Sequence, residues 1–129
     1  MAKKILIIED DKFLRKVITK KLSKGGYSVI EAIDGEKGLE AVKKEKPDLV
    51  LLDLVLPEMD GFEVLAKMKK ESSLSKTPVI ILSNLGEKEE IDKGFKMGAT
   101  DYLVKAHLIP GEILDRIEVA LNKGRAKNN

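Results

Sequence analysis

Short, almost wholly apolar runs alternate with stretches of helical periodicity five times along this chain, and no other feature limits its possible folds as much. The runs are Ile5-Leu6-Ile7-Ile8 and residues 27–32, 48–53, 78–83 and 101–105. Strands buried on both faces belong to a parallel sheet sandwiched between helices, and crossovers between parallel neighbours are right-handed. Residues 48–53 are the most apolar and are expected at the centre, whereas the polar-tinged 27–32 suits an edge.

The helical stretches carry their own start and stop signals. Asp11 can cap a first helix whose apolar positions Phe13, Leu14, Val17, Ile18 and Leu22 follow a 3.6-residue period, and Gly25-Gly26 stops it. Asp34-Gly35 opens a second helix through Leu39, Ala41 and Val42. Asp60-Gly61-Phe62-Glu63 resembles a capping box before Leu65 and Met68. A fourth helix is expected over 87–97, with Gly98 ending it, and Pro110 starts a fifth with Ile113, Leu114, Ile117, Ala120 and Leu121 as its buried stripe. The expectation is a single doubly wound α/β domain, (βα)5, over residues 1–124. Residues 125–129 form a short basic tail, and no output domain is expected.

Composition removes several function classes. With no cysteine among 129 residues there is neither thiol chemistry nor a disulfide framework, which suits a reducing, cytoplasmic setting. Apolar runs are only a strand's length, so neither membrane insertion nor a signal peptide is expected. A net charge of +2 from 24 basic and 22 acidic side chains offers no field for direct nucleic-acid binding.

What remains is at the strand ends. Glu9 and Asp10 close the first run, Asp53 the third, Ser83 the fourth and Lys105 the fifth. Ligands of parallel sheets bind beyond the carboxyl ends of the strands, so these side chains would share one crevice. Carboxylates held a few ångströms apart repel by a few kcal/mol at an effective dielectric of about 20, and a hard divalent cation, Mg2+ or Mn2+, is the usual reason to keep them together. The set suits phosphoryl transfer. Asp53 would be the nucleophile, with the metal on Asp10, Asp53 and the Val55 backbone carbonyl and Glu9 acting through water; Lys105 and the Ser83 hydroxyl would meet the phosphate oxygens. Asp11 and Asp60 stand where helix caps are needed and are read as caps. His107, the sole histidine, is read as a surface residue.

Four motifs occur in order: Ile8-Glu9-Asp10-Asp11; Leu52-Asp53-Leu54-Val55-Leu56-Pro57-Glu58-Met59-Asp60-Gly61; Ile81-Leu82-Ser83; and Gly98-Ala99-Thr100-Asp101-Tyr102-Leu103-Val104-Lys105. In these the chain resembles the receiver domains of two-component response regulators over essentially its whole length. The resemblance implies a flavodoxin-like sheet of order 2-1-3-4-5, with the acids at the switch point between strands one and three. It also implies a signalling switch rather than an enzyme of turnover. Asp53 would take phosphate from a sensor histidine kinase or a histidine phosphotransfer protein, with Ser83 and Tyr102 as switch residues.

A downstream partner would read the face of the fourth helix, fifth strand and fifth helix, where Ile91, Phe95, Asp101, Glu112 and Arg116 are candidates, in a monomer or weak phosphorylation-dependent dimer. Phosphate would draw Ser83 inward and vacate space that Tyr102 then fills. Val55 and Leu85, two residues after the acceptor and after the switch hydroxyl, cannot hydrogen-bond water, and by the resemblance this implies a persistent phosphorylated state and slow self-dephosphorylation. One departure stands out. Lys105 is followed by Ala106-His107-Leu108-Ile109-Pro110 rather than directly by proline. A cis bond before alanine would cost about 2.5–4 kcal/mol, so the Lys105–Ala106 bond is expected to be trans.

Three other readings use the same residues: a non-phosphorylated binding module, an aspartyl phosphatase and a flavin-binding variant. The phosphatase would want a second carboxylate where Val55 stands, and Asp10-Asp11-Lys12-Phe13 would repel the flavin phosphate rather than cradle it.

Overall fold

The computed structural model describes residues 2–127. In chain order the elements are β1 (Lys4–Ile8), α1 (Lys12–Lys24), β2 (Ser28–Ala32), α2 (Gly35–Glu45), β3 (Leu49–Leu52), α3 (Gly61–Lys70), β4 (Val79–Ser83), α4 (Lys88–Lys96), β5 (Asp101–Val104), a 3-10 turn (Lys105–His107) and α5 (Pro110–Lys127). All strand pairs are parallel, and their order is β2-β1-β3-β4-β5. No helix among the described residues is long and apolar enough to cross a membrane.

Side-chain alternation along the strands divides the core in two. Leu6, Ile8, Val50, Leu52, Val79 and Ile81 face Val42 of α2 and Val64, Leu65 and Met68 of α3. Ile5, Ile7, Leu49, Leu51, Ile80, Leu82 and Leu103 face Ile18 and Leu22 of α1 and Ile113, Ile117 and Ala120 of α5. Every residue of β3 and β4 is buried, as both-face coverage requires, while β2 at the edge is mostly half-buried.

The caps form as expected. Asp11, Asp34 and Asp60 accept from the backbone N–H of Leu14, Lys37 and Glu63 at 3.0, 2.8 and 3.0 Å. No peptide bond among the described residues is cis; after the trans Lys105–Ala106 bond the 3-10 turn redirects the chain, with the Leu108 N–H donating to the Lys105 carbonyl at 3.2 Å. Helix α5 runs to Lys127 and so takes residues 125–127 of the expected basic tail into helix; Asn128 and Asn129 lie outside the described residues.

The face of α1 departs from its apolar period. Phe13 is 80% exposed and Val17 is also exposed, while Arg15 is buried to 8%. The buried stripe is Arg15, Ile18 and Leu22. The apolar residues at 13 and 17 had pulled the expected face a fraction of a turn away from the true one.

Candidate functional site

Parallel pairing brings the ends of β1 and β3 side by side: the Asp53 N–H donates to the Ile8 carbonyl at 3.0 Å, and the Glu9 N–H to the Ala32 carbonyl at 3.0 Å. Glu9 and Asp53 are therefore buried, at 1% and 4% exposure, while Asp10 stays open to solvent. One carboxylate oxygen from each of the three lies within 4.8 Å of the others. Gly61 lets α3 start flush against this point, since a Cβ there would lie 2.3 Å from the Asp53 carbonyl oxygen.

Lys105 reaches across from the end of β5. Its ammonium lies 3.0 Å from Asp53 Oδ2 and 2.5 Å from Glu9 Oε1. Both contacts pair opposite charges within a buried site, so Lys105 bridges the two carboxylates. The other oxygens are held by backbone, the Asp11 N–H on Glu9 Oε2 at 3.1 Å and the Val55 N–H on Asp53 Oδ1 at 3.2 Å.

Burial pushes the Glu9 carboxyl up to about 7, with Asp53 adding to the rise and Lys105 and the Asp11 N–H opposing it. Burial works against the Lys105 charge, but Glu9 and Asp53 outweigh it and hold the ammonium above the ordinary lysine value.

Ser83, fully buried at the end of β4, accepts from the Leu85 N–H at 3.2 Å. Tyr102 is buried too, and its hydroxyl donates to the Leu85 carbonyl. Burial raises the Tyr102 phenol, Ser83 counters this, and Glu90 and Asp53 add to it. The ring lies against α4 at Gly94, where a Cβ would meet it at 3.2 Å. Tyr102 is thus held between α4 and the loop that follows β4.

The residue pattern matches the family model described as "Response regulator receiver domain" over residues 5–118. The chain belongs to the response regulator receiver family. It is 40% identical over 129 residues to the "Probable transcriptional regulator ycf27" of Porphyridium aerugineum, covering 98% of this chain and 52% of that protein. Among solved structures, a CheY-like receiver domain protein from Methanospirillum hungatei superimposes with a TM-score of 0.91 at 28% identity, covering 98% of this chain and 99% of that one. The BeF3-activated N-terminal receiver domain of RstA from Klebsiella pneumoniae gives 0.85 at 31%, covering 92% and 98%. The chain spans about half the length of the curated relatives it matches. This receiver domain is accordingly a phosphorylation-dependent signalling switch of a two-component system.

Receiver domains generally bind Mg2+, and the residues here fit such an ion: an all-oxygen donor set and three converging carboxylates. Of the remaining expected positions, Val55 is 60% exposed beside the site, whereas Leu85 packs against the core that includes Tyr102. His107 is exposed. On the α4-β5-α5 face, Arg116 holds Asp101 through two bonds of 2.6 and 2.7 Å and reaches Glu112 at 3.3 Å; Phe95 is exposed, and Ile91 packs on the core. Sequence reasoning missed Arg15. Its guanidinium donates to Glu31 at 2.9 Å and to the Glu9 carbonyl at 2.9 Å, and the only signal in the chain is an arginine spaced three and seven residues before Ile18 and Leu22.

Proposed function

We propose that Asp53 is the phosphoacceptor of this receiver, and that it takes the phosphoryl group from a phosphohistidine on a sensor kinase or a phosphotransfer protein. The observation that carries this reading is the Lys105 ammonium placed on both Asp53 and Glu9 within a converging acid cluster. A carboxylate oxygen of Asp53 attacks phosphorus in line, the P–N bond of the donor breaks, and the released histidine nitrogen keeps the electron pair. Lys105 follows the phosphate oxygens from its place on Asp53, and the Ser83 hydroxyl donates to one of them once it leaves the Leu85 N–H. Asp10, Asp53 and the Val55 carbonyl would hold Mg2+ or Mn2+, with Glu9 reaching it through water. The cation supplies charge neutralisation between anionic donor and acidic pocket.

Phe13, Ile33, Val55 and Ile109 are exposed on segments that follow β1, β2, β3 and β5, and they give the mouth of the site an apolar rim against which a donor protein can seat. Ser83 and Tyr102 both bond the Leu85 backbone, so a phosphate that draws the Ser83 hydroxyl inward would free space for Tyr102 and reshape the α4-β5-α5 face read by a downstream partner. Pairing two copies through Asp101 and Arg116 would first require opening their bond within one chain. Output through a DNA-binding segment, as the relatives' names suggest, would come from residues beyond this receiver. The cation requirement gives the test. Labelling by acetyl phosphate should be abolished by EDTA and restored by excess Mg2+; undiminished labelling in EDTA would overturn the reading.

A further inference from the structure

Arginine is seldom buried without a partner, and Arg15 occupies a helix position that an aliphatic side chain would fill at less desolvation cost. Its bonds explain the choice. The guanidinium is anchored by Glu31, the fourth residue of edge strand β2, which Lys16 also holds at 3.1 Å, and it presents Nη1 to the Glu9 carbonyl in a fully buried contact. The Glu9 N–H is fixed on the other side by the Ala32 carbonyl. A carbonyl and the N–H that follows it share one plane, so a guanidinium on the Glu9 carbonyl sets the plane from which Asp10 hangs. Asp10 itself is exposed.

We propose that Arg15, held by Glu31, is a positioning residue for the divalent cation, fixing the Glu9–Asp10 peptide so that Asp10 meets the ion beside Asp53. This rests on the function proposed above. Arg15 and Lys16 share Glu31, so the trio carries a net positive charge that by itself opposes a cation; weaker cation binding after loss of Arg15 would therefore report orientation and not charge. Groups that orient metal ligands commonly shift affinity about 10- to 100-fold when removed.

The experiment is direct titration of the cation-free protein with Mn2+, following free Mn2+ by its paramagnetic resonance signal, for wild type, Arg15→Gln, Arg15→Lys and Glu31→Gln. Arg15→Gln is expected to raise the Mn2+ Kd about tenfold. Arg15→Lys, in which one ammonium replaces two separate donor nitrogens on a shorter reach, should recover part of this, and Glu31→Gln should give a smaller rise. The acetyl phosphate reaction of Arg15→Gln should keep its rate at saturating cation while the half-saturating concentration rises by the same factor as Kd. A lower melting temperature with unchanged Kd in the folded variants would show a merely structural role and overturn the proposal. If Arg15→Gln does not fold, Glu31→Gln carries the test, and an unchanged Kd there overturns it equally. Failure of the wild type itself to bind Mn2+ would instead sink the phosphoacceptor reading.

Discussion

Helices α1 and α5 cover the same face of the sheet, yet only one of them obeys its hydrophobic period. In α5 the residues expected inside, Ile113, Ile117 and Ala120, are inside. In α1 two apolar residues face solvent and an arginine takes a core place. The two helices differ in what their ends touch. The inner face of α5 meets apolar strand residues, and burial alone decides its stripe. The first turns of α1 border the acid loop on one side and the mouth of the site on the other, so Arg15 is spent on the Glu9 backbone and Phe13 is left on the rim. A broken period next to a polar cluster marks function, where an intact one marks packing.

Truncating one apolar residue on each helix should separate the two most strongly. Ile117→Ala on α5 should lower unfolding free energy by about 2–5 kcal/mol. Phe13→Ala on α1 should stay within about 0.5 kcal/mol, as an exposed substitution does, while slowing phosphoryl transfer from a protein donor but not from acetyl phosphate. Urea titration with donor kinetics reads both. A large stability loss at Phe13 would remove the distinction.

Val55 sharpens the same contrast, being another exposed apolar residue at the rim. Val55→Asn should speed decay of the acyl phosphate by up to about a hundredfold by orienting the attacking water. Leu85 is the poorer site for this test because it packs against the core. An unchanged decay rate for Val55→Asn would show that this position does not limit water attack.

A smaller effect separates the acid loop from the rest of the α1–α5 side. Glu9 is raised from 4.5 to about 7 in the folded protein, so the folded state holds its proton between those values and the unfolded chain does not. The stability this proton confers is fully present below about 4.5 and is lost as pH rises through about 7. Urea midpoints of the cation-free protein should fall over that window relative to Glu9→Gln. Parallel profiles for the two proteins would contradict the burial argument.

Most of the fold was legible because parallel sheets write themselves as apolar runs: the central place of β3, the edge place of β2 and the caps at Asp11, Asp34 and Asp60 all follow from local residue types. The convergence of Glu9, Asp10, Asp53 and Lys105 was legible for the same reason, since each ends or follows a strand whose neighbours pairing decides. The Arg15–Glu31 bond was not, because it joins α1 to β2 through side chains whose sequence period says nothing about charge pairing. The burial of Tyr102 was likewise hidden. It depends on a gap at Gly94 and an acceptor on the Leu85 carbonyl, both outside its own strand.

The most direct measurement is the intact mass of the protein after incubation with acetyl phosphate and Mg2+, followed by peptide mapping. The account predicts the mass increase of one phosphoryl group on Asp53, sensitive to hydroxylamine and absent from Asp53→Asn. A phosphoryl group on any other residue, or labelling of Asp53→Asn equal to wild type, would contradict it.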